Sequence, residues 1–300
     1  MEKTARSRRK RRWLPYVFLA LFAAWIISIQ TGCLAMRTPD RDWPAKLQQR
    51  GQTLTPTFHD IDMPGYRTIH AVNLNSDTSK PLIMFVHGSP GSSDAFLSYL
   101  ADTALSRLAG MISIDRPGFG YTKGFGRAEG SLERQAAAAE AVVKALAPGK
   151  KVVLVGHSLG GPVIARFAMD YPDKTAGLVM VAASIDPDLE EHPWWQGAVD
   201  APPLRWLTPK SLWTSNREIK LLEAELRQIL PRWADIRCPV TMVHAEDDRL
   251  VPFANVAFAK HKLVNCPDYR EVTLPKGDHF ILWSRQELVR DAIVEMINSR

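Results

Sequence analysis

The chain has 300 residues, 46% of them hydrophobic and 23% charged, which supplies a sizeable core and excludes disordered and collagen-like classes. Its formal net charge of +6 is carried entirely by the first residues, where Lys3, Arg6, Arg8, Arg9, Lys10, Arg11 and Arg12 stand against Glu2 alone. The remainder is close to neutral, so the folded part has no basic excess to offer a polyanion and no nucleic-acid partner is expected.

Residues 1–36 read as a basic n-region followed by a membrane anchor or a lipoprotein signal. The run 13–36 contains no charged residue, and about 20 apolar residues suffice for a membrane-crossing helix. Basic residues ahead of such a segment keep the N-terminus in the cytoplasm and send the rest outside. A basic n-region with an apolar stretch also describes a signal peptide. Thr31-Gly32-Cys33 resembles a bacterial lipoprotein signal, in which Cys33 is the lipidated residue, although Gln30 stands where that pattern usually has Leu. Two readings therefore stay open, lipoprotein and single-pass anchor, and both export the domain and attach it to a membrane.

Residues 37–56, with Pro39, Asp40, Arg41, Asp42, Pro44, Gly51 and Pro56, read as a polar tether containing one short helix. From 57 to 300 the pattern is strand and helix in alternation. Segments 57–62 and 66–74 are expected to pair antiparallel around the Pro64-Gly65 turn. Short apolar runs follow at 82–86, 111–114, 151–155, 178–181, 240–243 and 271–274, rich in Val, Ile, Leu and Met as strands buried on both faces are. Helical stretches are expected at 94–108, 131–146, 160–170, 253–264 and 284–298. This alternation predicts an α/β fold, a mostly parallel sheet covered by helices on both faces. Residues 184–236 break the rhythm: they are rich in proline and carry five of the nine tryptophans, 194, 195, 206, 213 and 233. A connection of that length needs its own structure, and it reads as a mostly helical cap insertion, clearest at 215–230.

Three segments carry chemistry. Val152 to Val155 runs into Gly156-His157-Ser158-Leu159-Gly160, a strand, a tight turn and a helix. A serine lifted above a sheet on such a turn tolerates no bulky neighbour, hence the glycines. A serine hydroxyl needs a base to take its proton and an acid to orient that base. Downstream, His244-Ala245-Glu246-Asp247-Asp248-Arg249-Leu250-Val251-Pro252 and Gly277-Asp278-His279-Phe280 each follow a strand, at the edge where open α/β sheets place their sites.

From about residue 57 onward the chain resembles the α/β-hydrolase superfamily. Besides the Ser158 elbow, His87-Gly88-Ser89-Pro90-Gly91 resembles that family's oxyanion loop, and Asp115-Arg116-Pro117-Gly118-Phe119-Gly120 the turn after its next strand. The resemblance implies an esterase- or lipase-like serine hydrolase with Ser158 as nucleophile, His279 as base and Asp248 as acid. The backbone N–H groups of Ser89 and Leu159 would form the oxyanion hole. Asp248 follows from counting back from Val251-Pro252 in the family's Gly-x-x-Asp-x-x-Val-Pro pattern, in which Ala245 here replaces the glycine; Asp247 and Asp186 are the rivals. His87, His157 and His244 are expected to hydrogen-bond locally, Asp278 to stabilise its loop, and Asp115 and Arg116 to be structural.

The expected substrate is a small-molecule carboxylic ester with an apolar or lipid-like group, accommodated by an aromatic, proline-rich cap wall. The same triad also serves a C–C bond hydrolase or a cofactor-free peroxidase, and a non-catalytic binding scaffold is the reading from another class. No cofactor and no metal are expected, since ligand spacings are missing. Cys238 and Cys266 precede neighbouring strands, where a disulfide and two thiols are both admissible.

Overall fold

The computed structural model describes residues 13–31, 36–75, 77 and 79–299. The lipidation candidate Cys33 and the basic residues before Trp13 lie outside the described residues. Eight strands, β1 (Thr57–Asp62), β2 (Thr68–Leu74), β3 (Leu82–Val86), β4 (Gly110–Ile114), β5 (Val152–His157), β6 (Thr175–Val181), β7 (Val240–Ala245) and β8 (Tyr269–Leu274), form one sheet in the order β1-β2-β4-β3-β5-β6-β7-β8. β1 and β2 pair antiparallel, β2 joins β4 antiparallel, and β3 to β8 are parallel. This is the expected α/β-hydrolase fold. Every residue of β3, β4, β5 and β7 is buried, which is why those strands read as unbroken apolar runs.

Helices Leu132–Leu146 and Gly160–Asp170 pack on one face with β3, β5 and β6 side chains, and Gln286–Asn298 covers the other. The expected helix 94–108 is instead a 3-10 turn at Ser93–Phe96 and two short helices, Leu97–Leu100 and Thr103–Leu108. The break has a local cause: Asp102 adopts an extended backbone and its side chain accepts from the N–H groups of Ala104 and Leu105, starting a new helix. The insertion after β6 is helical, with helices at Trp195–Asp200, Leu204–Leu207 and Lys210–Ile229.

Two segments ahead of the sheet have structure of their own. Within the apolar run the described residues form a helix at Leu14–Thr31, 18 residues long, or about 27 Å at 1.5 Å per residue, against about 30 Å of hydrocarbon. Among the described residues no helix is long and apolar enough to cross a membrane; this one packs against Leu204–Leu207. The segment 37–56, expected as a polar tether with one short helix, contains that helix and packs on the domain. Its helix, Trp43–Gln48, buries Trp43 and Leu47 completely beside Val72, Leu74, Phe96 and Tyr99. Gln52 locks it down, donating to the Leu100 carbonyl at 3.1 Å and to Ser106 Oγ at 3.2 Å.

The Cys238–Cys266 bridge is not formed. The Cys266 thiol donates to the Cys238 carbonyl at 3.2 Å and to that of Asp268 at 3.3 Å, so it has acceptors without a partner sulfur.

Candidate active site

β5 ends at His157, and Ser158 follows with φ of +53°, a left-handed conformation that costs a non-glycine residue about 1–2 kcal/mol. The surroundings hold it there: Ser158 N–H donates to the Val181 carbonyl and its own carbonyl accepts from Gly161, both at 2.9 Å. The flanking glycines are steric necessities. A Cβ on Gly160 would lie 2.2 Å from the Val86 carbonyl oxygen, and one on Gly156 would lie 2.5 Å from that of Gly160.

The loop after β3 closes over this turn. A Cβ on Gly88 would meet the Ser158 Cβ at 2.9 Å, so only glycine lets His87–Gly91 approach so closely. Ser89 and Leu159 line the same cavity as Ser158, and Ser89 Oγ is buried without a hydrogen-bond partner among the described residues. His87 holds the loop. Its Nδ1 donates to the Gly88 carbonyl at 2.7 Å and its Nε2 accepts the Arg116 N–H at 3.0 Å, a pairing that requires the neutral ring. Burial, with the Arg116 charge adding, pushes its pKa down to about 3.

The loops after β7 and β8 bring Asp248 and His279 together, with His279 Nδ1 2.9 Å from Asp248 Oδ2. The carboxylate is well fixed: its Oδ1 accepts from the N–H groups of Leu250 and Val251, both at 2.9 Å, and His244 Nε2 stands 3.5 Å from Oδ2. Burial pushes this carboxyl up, but the hydrogen bonds from His244, His279 and Val251 outweigh it, and the net result is well below the usual carboxylate range. A carboxylate accepting from Nδ1–H assigns the tautomer that leaves the lone pair on Nε2. The rival acids are occupied elsewhere: Asp247 accepts from the Gly277 N–H at 2.7 Å, and Asp186 from that of Asp188 at 3.0 Å. Asp278 accepts from the Phe280 N–H, within its own loop.

His279 has a further support that the sequence did not reveal. His157, the residue before Ser158, donates from Nε2 to the His279 carbonyl at 3.1 Å, their ring centres 5.0 Å apart. Burial, with the His279 charge adding, lowers its pKa to about 3, so it is neutral at physiological pH. His244 bonds the Val251 carbonyl at 3.0 Å.

Ser158, His279, Ser89 and Leu159 share a cavity of about 850 Å³. Its apolar wall includes Ile219 and Leu222 from the cap and Leu250, Phe280 and Trp283 from the sheet edge. The expected aromatic, proline-rich cap wall is not found. None of the five cap tryptophans lines the cavity: Trp213 and Trp233 are buried, while Trp194, Trp195 and Trp206 are exposed. Besides Ile219 and Leu222, the cap reaches the site through Glu218 on Lys210–Ile229. Its carboxylate pairs with the fully buried Arg116 at 2.5 Å, and Arg116 donates to the His87 and Gly88 carbonyls at 2.7 and 2.8 Å. Asp115 accepts from the Ser93 and Tyr121 N–H groups. Asp115 and Arg116 thus brace the loop and do not line the cavity.

Residues 83–292 match the model of the alpha/beta hydrolase family. Among characterised relatives, the pimeloyl-[acyl-carrier protein] methyl ester esterase of Proteus mirabilis is 32% identical over 118 residues, 39% of this chain and 41% of that protein. Esterase PIR7B of Oryza sativa subsp. japonica is 50% identical over 46 residues, 15% of this chain and 17% of that protein. Each match spans less than half of the relative's own length. Similar solved structures include a bacterial membrane phospholipase A, with TM-score 0.62 and 18% identity over 97% of this chain and 100% of that one. Bromoperoxidase from Bacillus anthracis has TM-score 0.62 and 16% identity over 81% and 99%. At these identities the structural likeness shows the fold alone.

Proposed function

The chain belongs to the alpha/beta hydrolase family, a family of enzymes, and we propose that it cleaves a carboxylic ester with an apolar acyl or alkyl group through an acyl-enzyme on Ser158. The observation that carries this reading is that Ser158, raised on a positive-φ turn, shares one cavity with His279, whose Nδ1 is held by Asp248 at 2.9 Å.

Ser158 Oγ attacks the ester carbonyl while His279 Nε2 takes its proton, and the Asp248 carboxylate stabilises the imidazolium that forms. The negative charge on the former carbonyl oxygen is received by the N–H groups of Ser89 and Leu159, where one such donor contributes about 3 kcal/mol to the transition state. The Ser89 hydroxyl, buried without a hydrogen-bond partner among the described residues, is available as a further donor. The tetrahedral intermediate collapses, the alcohol leaves with the proton from His279, and a water deprotonated by the same imidazole releases the acid and restores Ser158. The Ile219, Leu222, Leu250, Phe280 and Trp283 wall suits an apolar substituent.

The proposal includes attachment of the domain, outside the cytoplasm, to a membrane through the N-terminal segment. Its support is the basic cluster before the uncharged run 13–36 and the exposed apolar side chains of Leu14, Phe18, Leu19 and Leu21.

A fluorophosphonate probe on the full-length chain tests the activated serine. Wild type should label, and before labelling it should hydrolyse medium-chain p-nitrophenyl esters with an activity that labelling abolishes, while Ser158→Ala and His279→Ala should remain unlabelled. Absence of labelling in folded wild type would overturn the acyl-enzyme reading and leave a binding scaffold in its place.

A further inference from the structure

The cavity that holds Ser158 is not apolar throughout. Part of its wall comes from ahead of the hydrolase domain, where Arg37, Thr38 and Lys46 line it. These side chains are fixed in place. The Arg37 guanidinium lies 4.1 Å from the Tyr121 ring centre and 4.9 Å from that of Phe125, and it donates to the Gly120 carbonyl. Lys46 Nζ donates to Thr38 Oγ1 at 2.8 Å. Neither cation has a carboxylate at ion-pair distance among the described residues, where the other ion pairs of the domain are found. Among the described residues one Arg37 donor is used and the others are not, and Lys46 likewise retains N–H groups.

Two acids share the cavity wall, and both are occupied. Asp94 accepts from Ser92 Oγ at 2.6 Å and from Thr38 Oγ1 at 2.9 Å, and Glu190 accepts from Ser184 Oγ. Burial pushes both carboxyls up, and at Asp94 the Ser92 and Thr38 hydrogen bonds and the Lys46 charge oppose it; a guanidinium keeps its charge at any physiological pH. The Arg37 cation, held on a partly buried wall by aromatic rings with no carboxylate at ion-pair distance among the described residues, is an arrangement that an anionic ligand completes.

We propose that Arg37 and Lys46 form an anion-binding subsite within the same cavity, which holds a phosphate or carboxylate carried by the ester substrate. Together with the Leu250, Phe280 and Trp283 wall, it selects an amphiphile: an ester with an apolar chain and one anionic group. The ester half of this statement rests on the serine-hydrolase reading; the anion half does not. The anion has two sources, a phospholipid headgroup or a short soluble diacid, which present the same oxygens to the same cations.

Two matched ester pairs separate the sources, with full-length protein in a non-ionic detergent. The soluble pair is monomethyl adipate against methyl hexanoate; the lipid pair is oleoyl-lysophosphatidylglycerol against monoolein. The anionic member of one pair should be turned over with kcat/KM about tenfold or more above its neutral partner, the scale of one charge-assisted contact, and that pair identifies the source. Arg37→Met should reduce this preference ratio about tenfold, mainly through KM, and Lys46→Met less, while Arg37→Lys should retain most of it. A ratio near one in both pairs, or a ratio that Arg37→Met and Lys46→Met leave intact, overturns the subsite. Titration calorimetry of hexyl phosphate into the Ser158→Ala protein reads the anion without turnover. Binding that Arg37→Met abolishes supports the subsite even if no ester is cleaved, in which case only the hydrolase reading falls; no binding of hexyl phosphate overturns the subsite whether or not esters are cleaved.

Discussion

The carboxyl edge of β5, β7 and β8 and the arm formed by residues 36–52 meet at the same cavity, yet their sequences announce them very differently. At the sheet edge almost every placement is demanded by the residue's own backbone. Gly156 and Gly160 admit no Cβ, Ser158 sits at positive φ, and Asp248 accepts from residues two and three positions on. Most of those demands act over a few residues, and even the close approach of Gly160 to Val86 on a neighbouring strand falls within a glycine spacing that can be read. The arm has no such local requirement. Its helix is six residues long, too short to show periodicity or to be stable alone. Its position is decided by partners some fifty residues away, the Leu100 carbonyl, Ser106 and the Asp94 carboxylate. A site residue that is fixed by its neighbours in sequence can be found in a sequence; one that is fixed by a distant surface cannot.

The largest expected effects lie at the sheet edge. His279→Ala should lower kcat about 10⁴-fold or more, and Asp248→Asn by about 10³ to 10⁴, since an amide in place of the carboxylate favours the wrong imidazole tautomer. Asp247→Asn, which disturbs only the Gly277 N–H, should stay within about threefold. Equal losses in the two asparagine variants, measured on one chromogenic ester, would mean that the acid is not uniquely Asp248 and that motif spacing had been over-read.

For the arm, Trp43→Ala should destabilise the protein by about 3–5 kcal/mol, the usual cost of deleting a fully buried tryptophan, and it should raise KM because Arg37 and Lys46 lose their support. Urea denaturation monitored by circular dichroism gives the first number and steady-state kinetics the second. A loss under about 1 kcal/mol would show that the arm rests on the domain weakly and would restore the tether picture that its polar composition suggests.

Between these extremes, legibility follows the range of the interaction. The parallel strands were legible because burial on both faces leaves uninterrupted Val, Ile and Leu. The helix starting near 94 was misjudged because a single Asp102 cap divides an otherwise helical stretch. The cap was legible as helical, but its tryptophans were not placeable: Trp233 is buried in the main core and Trp194 projects into solvent, and a run of aromatics contains no information about which neighbour each will meet. Arg116 and Glu218, 102 residues apart and paired at 2.5 Å, belong to the same class.

The two regions should also respond to pH with opposite signs. His87 and His157 at the catalytic edge have folded pKa values lowered to about 3 by burial, so the unfolded chain takes up protons that the folded one refuses. Their contribution to stability is present above about pH 6.5 and is lost as pH falls from there towards 3, by up to about 1.4 kcal/mol per pH unit for each ring. His70, which links the arm to the sheet, behaves in the reverse way. Burial lowers its pKa, but the hydrogen bond and charge of Asp115 and the nearby Asp40, at 3.0 and 3.3 Å, outweigh burial and raise it. Its contribution is therefore complete below about pH 6.5 and is lost as pH rises through the raised value. Thermal melts between pH 5 and 8 should show a shallower acid-side decline in His157→Asn than in wild type. Asp40→Asn should destabilise by under about 1 kcal/mol, because Asp40 is 40% exposed, and more at pH 6 than at pH 8. If Asp40→Asn cost the same at both pH values, the arm would be held to the sheet by packing and neutral hydrogen bonds alone, and the charge at His70 would play no part in docking it.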